Sequence, residues 1–472
     1  MQVTIPTTRR HVIALGVAML FLTGCSTFSK DGGLDAVSAM TNARTGQSVQ
    51  FSKPGNDIAT VESNVAKLLR EPLTPDSAVQ VALLNNKGLQ ASFAQLGIAE
   101  ADLVQAGWMS NPSFSFGRTS GAHAVEIERA VMFDILGLLT IPMRSKIEGR
   151  RFELAKLQAA SDAVKLATDT RKAYFNAVAA QQTARYSDQV RGSAEASAEL
   201  AKRMAQAGNF SKLAQAREQA FYADATAQLA RSRHNATVAR EQLVRLMGLW
   251  GENAAIKLPD RLPDLPAGPS TSDNVESLAM EQRLDIQLAK REAAMTASAL
   301  GLSKATRLIN VLEAGYTNSS TTGEPRENGY EIELQLPLFD WGGSRVAKAE
   351  ATYMQSVSRT ADAAIRARSQ VREAYSAYRT SYDLARHYRD EVVPLRKQIS
   401  DEMLLRYNGM LIGVFELLGD AREQINSVNT SIEAQRDYWI AETELQAAIN
   451  GTGGAAIQMR AEASDDAASQ GH

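Results

Sequence analysis

The strongest constraint on the fold of this chain is an internal repeat. Val125-Glu-Ile-Glu128 returns as Tyr330-Glu-Ile-Glu333, and Ala216-Arg-Glu-Gln219 returns as Ala421-Arg-Glu-Gln424, each displaced by 205 residues. One such match could be chance; two in the same order at one displacement mark a duplicated unit, and a repeat has to be found before single elements are assigned. Phe133-Asp134 and Phe339-Asp340 correspond as well, with a slip of one residue. Between the copies runs Leu258-Pro-Asp-Arg-Leu-Pro-Asp-Leu-Pro-Ala-Gly-Pro-Ser270, whose four prolines cannot continue a helix. The organisation that follows is a first repeat over 73–257, a linker over 258–272 and a second repeat over 273–450.

Each copy reads in one order: helix, strand pair, very long helix, tight turn, return helix. Thr74-Pro75-Asp76 supplies start signals for a helix running toward Gln105, and Asn111-Pro112 stops it. Two strand-like runs follow, 112–118 and 122–132, separated by Ser120-Gly121. Residues 144–205 contain no proline and two glycines, enough for a helix of roughly 90 Å at 1.5 Å per residue. Phe152, Ala155, Ala159, Ala163, Leu166, Thr170, Ala173, Ala177, Ala180 and Ala184 recur along it at steps of three and four, a coiled-coil spacing. Small seam residues let helices approach closely but bury little area each, so such a helix needs neighbours along its length. Ala207-Gly208-Asn209 ends it. The second copy repeats the design over 343–407, with a kink expected at Pro394, and returns over 414–450.

The strands carry a different message. Tyr330, Ile332, Leu334 and Leu336 alternate with Glu331, Glu333 and Gln335, and Phe114 and Phe116 alternate with Ser113 and Ser115. A period of two with charge on one face suits an antiparallel strand with apolar surroundings outside and water inside. Glu126, Glu128, Glu331 and Glu333 are therefore candidates for the lumen of a barrel; the alternative is a half-buried sheet in a soluble domain. Four strands cannot close alone, and an open edge in lipid would leave backbone groups unsatisfied. Bacterial barrels have at least eight strands, so two or more chains are required, and three copies would give twelve. Trp108, Tyr316, Tyr330, Phe339 and Trp341 lie near strand ends, where an interfacial belt would place them, with core roles as the alternative.

The first residues read as an address. Arg9, Arg10 and His11 flank an apolar core over 12–22, too short to span a bilayer, and residues 1–24 read as a secretory signal peptide. Leu22-Thr23-Gly24-Cys25 is similar to the bacterial lipobox, which implies that Cys25, the chain's single cysteine, becomes the lipid-bearing first residue of the mature protein. A structural cysteine is the alternative, although one thiol has no disulfide partner. Ser26 in such lipoproteins permits sorting to the outer membrane, and the twin arginines lack the rest of a Tat motif, so Sec export is the simpler route. Residues 25–72 then form a lipid-anchored N-terminal segment, and 451–472, small and polar, read as a disordered tail. A formal net charge of −2, with both signs interspersed, gives no footprint for nucleic acid.

With these elements in order, the chain resembles the TolC-type outer-membrane efflux proteins. The likeness is carried by Leu73-Thr-Pro-Asp-Ser-Ala-Val79, by Leu336-Pro-Leu-Phe-Asp340 ending a strand, by Ala207-Gly208-Asn209-Phe210-Ser211, and by Arg406-Tyr-Asn-Gly409 with Phe415-Glu-Leu-Leu418. It covers about residues 70–450 and rests more on the duplicated layout than on a short motif. The resemblance implies a mainly α fold with a small membrane β-barrel portion. Duplicated long α-helical hairpins would form a trimeric periplasmic α-barrel continuous with a 12-stranded outer-membrane β-barrel, four strands per chain. It implies a passive exit duct whose partners are a periplasmic membrane-fusion adaptor and an inner-membrane transporter; the lipid anchor favours the resistance-nodulation-division class. The tips at Gly208, Asn209 and Phe210 and at Asn408, Gly409, Met410 and Leu411 fall where the family meets its adaptor, although each also reads as a helix C-cap glycine and a turn. Glu416 and Asp420, four apart on one helical face, fall where the family places an acidic periplasmic gate. Solvated surface carboxylates are the alternative.

No catalytic constellation is visible, and neither enzyme activity nor a cofactor is expected. His123 and Glu126 form an isolated H-x-x-E that strand alternation puts on opposite faces. There is no P-loop or dinucleotide fingerprint, so transport energy must come from a partner. Two further readings stay open: a lipid-anchored periplasmic coiled-coil adaptor or scaffold, and a duct for type I protein secretion. Within the duct reading, metal cations and drugs are both open as cargo, and the carboxylates favour metal cations.

Overall fold

A computed structural model describes residues 27–51, 56–121, 124–269 and 274–452. The signal peptide, Cys25, His123 and the tail beyond 452 lie outside the described residues. In chain order the elements are α1 (Leu34–Thr45), α2 (Asn56–Leu68), α3 (Pro75–Asn85), α4 (Lys87–Ala106), β1 (Ser113–Ser120), β2 (Val125–Asp134), α5 (Ile135–Gln206) and α6 (Lys212–Leu246). After a short 3-10 turn and the linker come α7 (Val275–Gln282), α8 (Leu284–Ala305), β3 (Leu312–Thr321), β4 (Glu327–Leu334), α9 (Gly343–His387), α10 (Val393–Asn408) and α11 (Val414–Asn450). The duplication is thus visible element by element. The chain divides into two compact units.

The first unit holds residues 27–35, Ala94–Gln158 and Gln287–Ala363, and with them the whole sheet. Its strands run in the order β1-β2-β3-β4, each antiparallel to the next. Asp134, the last residue of β2, accepts a hydrogen bond from the Gly137 amide at 2.6 Å and so caps α5 directly. This cap starts the long helix at Ile135, well before the expected 144. The helix passes through Pro142, whose missing N–H costs one bond in the second helical turn. In the second copy the corresponding Asp340 accepts instead from the Gly342 amide at 2.8 Å, just before α9 begins at Gly343. β4 ends at Leu334, and Leu336–Asp340, expected to end the strand, form an irregular stretch before α9. A hydroxyl pair, Thr296 Oγ1 to Ser356 Oγ at 2.8 Å, ties α8 to α9.

The second unit holds Ala36–Phe93, Ala159–Ile286 and the chain from Ala364. The alanine seam is buried at Ala159, Ala163, Thr170, Ala173 and Ala177, and half-buried at Leu166, Ala180 and Ala184. The helix also buries Tyr174, Phe175 and Val178 beside the seam, and Phe175 stacks on Trp439 of α11 with ring centroids 5.3 Å apart. These larger side chains supply the area that alanine cannot.

The helix expected to run unbroken to Gln105 is two helices, interrupted at Asn86. The same interruption occurs in the second copy at Arg283, and both residues adopt extended backbone. Each breaker holds the end of its own copy's return helix. Asn86 Nδ2 donates to the Leu246 carbonyl at 2.9 Å, and Arg283 Nη1 donates to the Ala448 carbonyl at 2.8 Å. A helix C-terminus leaves its last carbonyls without partners, and these two side chains satisfy one each.

The proline-rich linker is a packed strap. Leu262 and Leu265 are buried, the Pro263 carbonyl accepts from Gln435 Nε2 at 2.6 Å and Trp439 Nε1 at 3.1 Å, and the Pro266 carbonyl accepts from the Tyr382 hydroxyl at 3.2 Å. Just before Pro394 the helix widens into a π-helical turn over Tyr388–Val392, in which the Val393 amide donates to the Tyr388 carbonyl.

Candidate functional site

Directly paired residues of neighbouring antiparallel strands share a face. The register therefore sorts every strand residue. Glu126, Glu128, Glu331 and Glu333 all fall on one face, as alternation predicted, joined by Asp134, Glu313 and Glu327. Asp134, Glu313 and Glu333 sit side by side in one row across three strands. The rest of this face is Ser, Thr, Gly, Ala and Met, without a basic residue. The opposite face carries Phe114, Phe116, Val125, Ile127, Val131, Phe133, Leu312, Ala314, Tyr316, Tyr330, Ile332 and Leu334, together with both arginines of the strands and no carboxylate.

No strand residue is buried on either face, and Tyr330 is 91% exposed. A soluble sheet would pack its apolar face on a core; this one leaves it open over all four strands. The outer strands β1 and β4 have no further partner among the described residues. Of the belt candidates, Trp108, Phe339 and Trp341 are exposed at the helix-joined end, and Tyr316 and Tyr330 form an edge-to-face pair with centroids 6.2 Å apart higher on the sheet.

The two hairpin tips are built alike but closed differently. At the first, Gly208 adopts φ +78°, its amide donates to the Ala205 carbonyl at 3.1 Å and the Asn209 amide to the Met204 carbonyl at 2.9 Å. This is a Schellman closure with glycine in the left-handed position. At the second tip, the equivalent bonds run from Met410 to Tyr407 at 3.0 Å and from Leu411 to Arg406 at 2.9 Å. Gly409, the expected C-cap glycine, is right-handed at φ −80°; Met410 takes the left-handed position at φ +58°. A side chain there costs about 1–2 kcal/mol. Met410 is 93% and Leu411 77% exposed, so the strained residue also presents the most apolar tip surface.

Glu416 and Asp420 lie in the first two turns of α11; Glu416 is exposed, and Asp420 is half-buried with Oδ2 enclosed and without a hydrogen-bond partner. The repeated Ala-Arg-Glu-Gln lies just beyond, and its glutamate latches each hairpin to its own outgoing helix. Glu218 accepts from the Ser197 hydroxyl at 2.7 Å, and Glu423 pairs with Arg396 at 3.4 Å. This shared role is a physical reason for that motif to occur twice. Among the described residues, no group of three or more His, Cys, Asp or Glu side chains could hold a metal ion.

No family model and no curated protein matches the sequence. Solved structures do match the fold. The CmeC outer-membrane channel of Campylobacter jejuni superposes with a TM-score of 0.70 at 16% identity, covering 86% of this chain and 89% of that one. A membrane protein from Pseudomonas aeruginosa gives 0.69 at 18% identity over 83% and 94%, and the open state of the Neisseria gonorrhoeae MtrE outer-membrane channel gives 0.65 at 15% over 80% and 89%. The chain has the fold of the TolC-type outer-membrane efflux channels.

Proposed function

We propose that this protein is the outer-membrane exit duct of a tripartite efflux system, and that three chains close its four strands into one 12-stranded barrel. The observation that carries the reading is the sorting of the sheet into an open apolar face and an open acidic face. An apolar face turned to lipid and a polar face turned to water satisfy both, and closure by further chains satisfies the backbone of β1 and β4. No helix among the described residues is long and apolar enough to cross a membrane. Cys25 is the proposed lipid-bearing residue.

In this reading the hairpin tips receive a periplasmic adaptor, with Met410 and Leu411 offering apolar contact, and an inner-membrane transporter of the resistance-nodulation-division class supplies the energy. Glu416 and Asp420 are the proposed gate. The lumen follows from the acidic face: seven carboxylates per chain and no basic side chain favour cations over anions, which makes metal cations the proposed cargo. The test is the mass of the detergent-extracted protein followed by conductance in planar bilayers. A trimer with a cation-selective pore, whose selectivity falls in E126Q/E128Q/E331Q/E333Q, is expected. A stable folded monomer, or a trimer without conductance, overturns the duct.

A further inference from the structure

We infer that Arg118 and Arg129 form a binding site for an anionic, phosphate-bearing lipid headgroup on the apolar face of the sheet, at the end remote from the long helices. The inference rests on the reading of that face as the lipid-facing wall. Arg118 and Arg129 are the two basic residues of the four strands, and both fall on this face. Arg118 is paired with Ile127 and Arg129 with Phe116, so the arginines are diagonal neighbours on adjacent strands. Diagonal Cα atoms lie about 7–8 Å apart, within reach of two long side chains converging on one anion.

The rows of the face succeed one another in an order that a lipid would match. From the helix-joined end come Leu312 with Leu334, then Phe133, Ala314 and Ile332, then Phe114, Val131, Tyr316 and Tyr330. The next row is Phe116, Arg129, Asn318 and Asn328; above it stand Arg118, Ile127 and Ser320, and the last pair is Ser120 with Val125. From Leu334 to Asn328 the chain runs about 20 Å along the strand, a rise of about 15 Å along the membrane normal at a tilt of about 35–45°, and the exposed Leu336 and Leu338 precede it at the helix-joined end. The tyrosine pair offers an aromatic girdle on the side remote from the exposed Trp108 and Trp341, and the arginines lie one and two rows beyond it.

Arg129 is held there by neutral partners. Its Nη1 donates to Asn318 Oδ1 at 2.9 Å, Asn318 Nδ2 donates to Asn328 Oδ1 at 2.8 Å, and the Tyr316 hydroxyl donates to the same oxygen at 2.7 Å. This ladder uses one of the five N–H donors of the guanidinium and neutralises none of its charge. No carboxylate shares the face. Two unneutralised guanidinium forks above an apolar band complement a phosphate joined to acyl chains, and arginine matches phosphate geometry in bidentate fashion.

The test uses the full chain in phosphatidylcholine nanodiscs doped with diphosphoryl lipid A or with the same lipid after enzymatic removal of its phosphates. Native mass spectrometry counts the lipid retained, and conductance and trimer mass are measured on the same preparation. At least tenfold preference for the phosphorylated form is expected, abolished in R118Q/R129Q and reduced in R118Q alone, which leaves the asparagine ladder intact. Millimolar inorganic phosphate should not compete, because the acyl chains contribute; competition would mark a free-anion site and overturn the lipid assignment. A conducting trimer with equal retention of both lipids, or with wild-type preference in both variants, overturns this inference alone. A chain that neither inserts nor conducts overturns the duct reading and this inference with it.

Discussion

Arg283 offers the most direct test of how each copy is fastened. It is 1% exposed, and its guanidinium donates to both Asp285 oxygens at 3.0 and 2.6 Å, to the Ala448 carbonyl at 2.8 Å and to Gln370 Oε1 at 2.7 Å. Asp285→Asn keeps the acceptor for the Ile286 amide but removes the one charge that neutralises a buried cation. Breaking a buried pair in this way costs about 3–5 kcal/mol, and the retained bond from the Ile286 amide, 2.8 Å in the native chain, argues for the lower end. At 1.36 kcal/mol per decade, about 3 kcal/mol raises local opening roughly 10²-fold. Arg283→Met should cost less, about 1–3 kcal/mol, because it leaves only neutral acceptors unpaired and Asp285, 21% exposed, can hydrate. Native-state hydrogen exchange over 282–287 and 445–451 reads both, with the Asn86-fastened end of α6 as an internal control. D285N should exceed R283M, and the double variant should match R283M. Protection within threefold of wild type in D285N, or equal loss at the α6 control, would refute the reasoning.

Three further outcomes are expected. Burial pushes the Glu442 carboxyl above its ordinary value of 4.5, against the pull of Arg171. A raised carboxyl favours the fold while protonated, below about pH 4.5, and that contribution is lost as pH rises through the folded value; E442Q should therefore raise the thermal midpoint at pH 7 and leave it unchanged near pH 4. The buried Tyr174 hydroxyl, whose pKa burial pushes up to about 12, donates to the Leu73 carbonyl at 2.9 Å, so Y174F should destabilise by about 1–3 kcal/mol in thermal or denaturant unfolding. Met410→Gly should relieve about 1–2 kcal/mol of backbone strain, seen as slower exchange at the second tip, and weaken adaptor binding in a pull-down with purified adaptor.

Local signals made the repeat, the strand pairs and the first tip legible. Alternation alone put Phe114 opposite Ser113 and Ile332 opposite Glu331, and Gly208 announced its turn. Register was not legible, and without it the row of Asp134, Glu313 and Glu333 could not be assembled from three separate stretches. The breaks at Asn86 and Arg283 carry no local signal, because neither is a proline or glycine; each side chain instead meets a carbonyl about 160 residues away. The early start of α5 is hidden for a related reason: Pro142 disfavours a helix that the Asp134 cap stabilises. Met410 shows the limit of a residue-type rule: the glycine beside it was the better local candidate, and the turn geometry chose the methionine.

The difference between the two tips bears on counting. A ring of six identical hairpins would offer six equal sockets, and a partner could bind in any multiple. Here each chain contributes one glycine-closed and one methionine-closed end, so the proposed threefold assembly would present two kinds of socket, three of each. A partner present in three copies can choose one kind; a partner present in six must bind as three unlike pairs, and its own subunits cease to be equivalent on arrival.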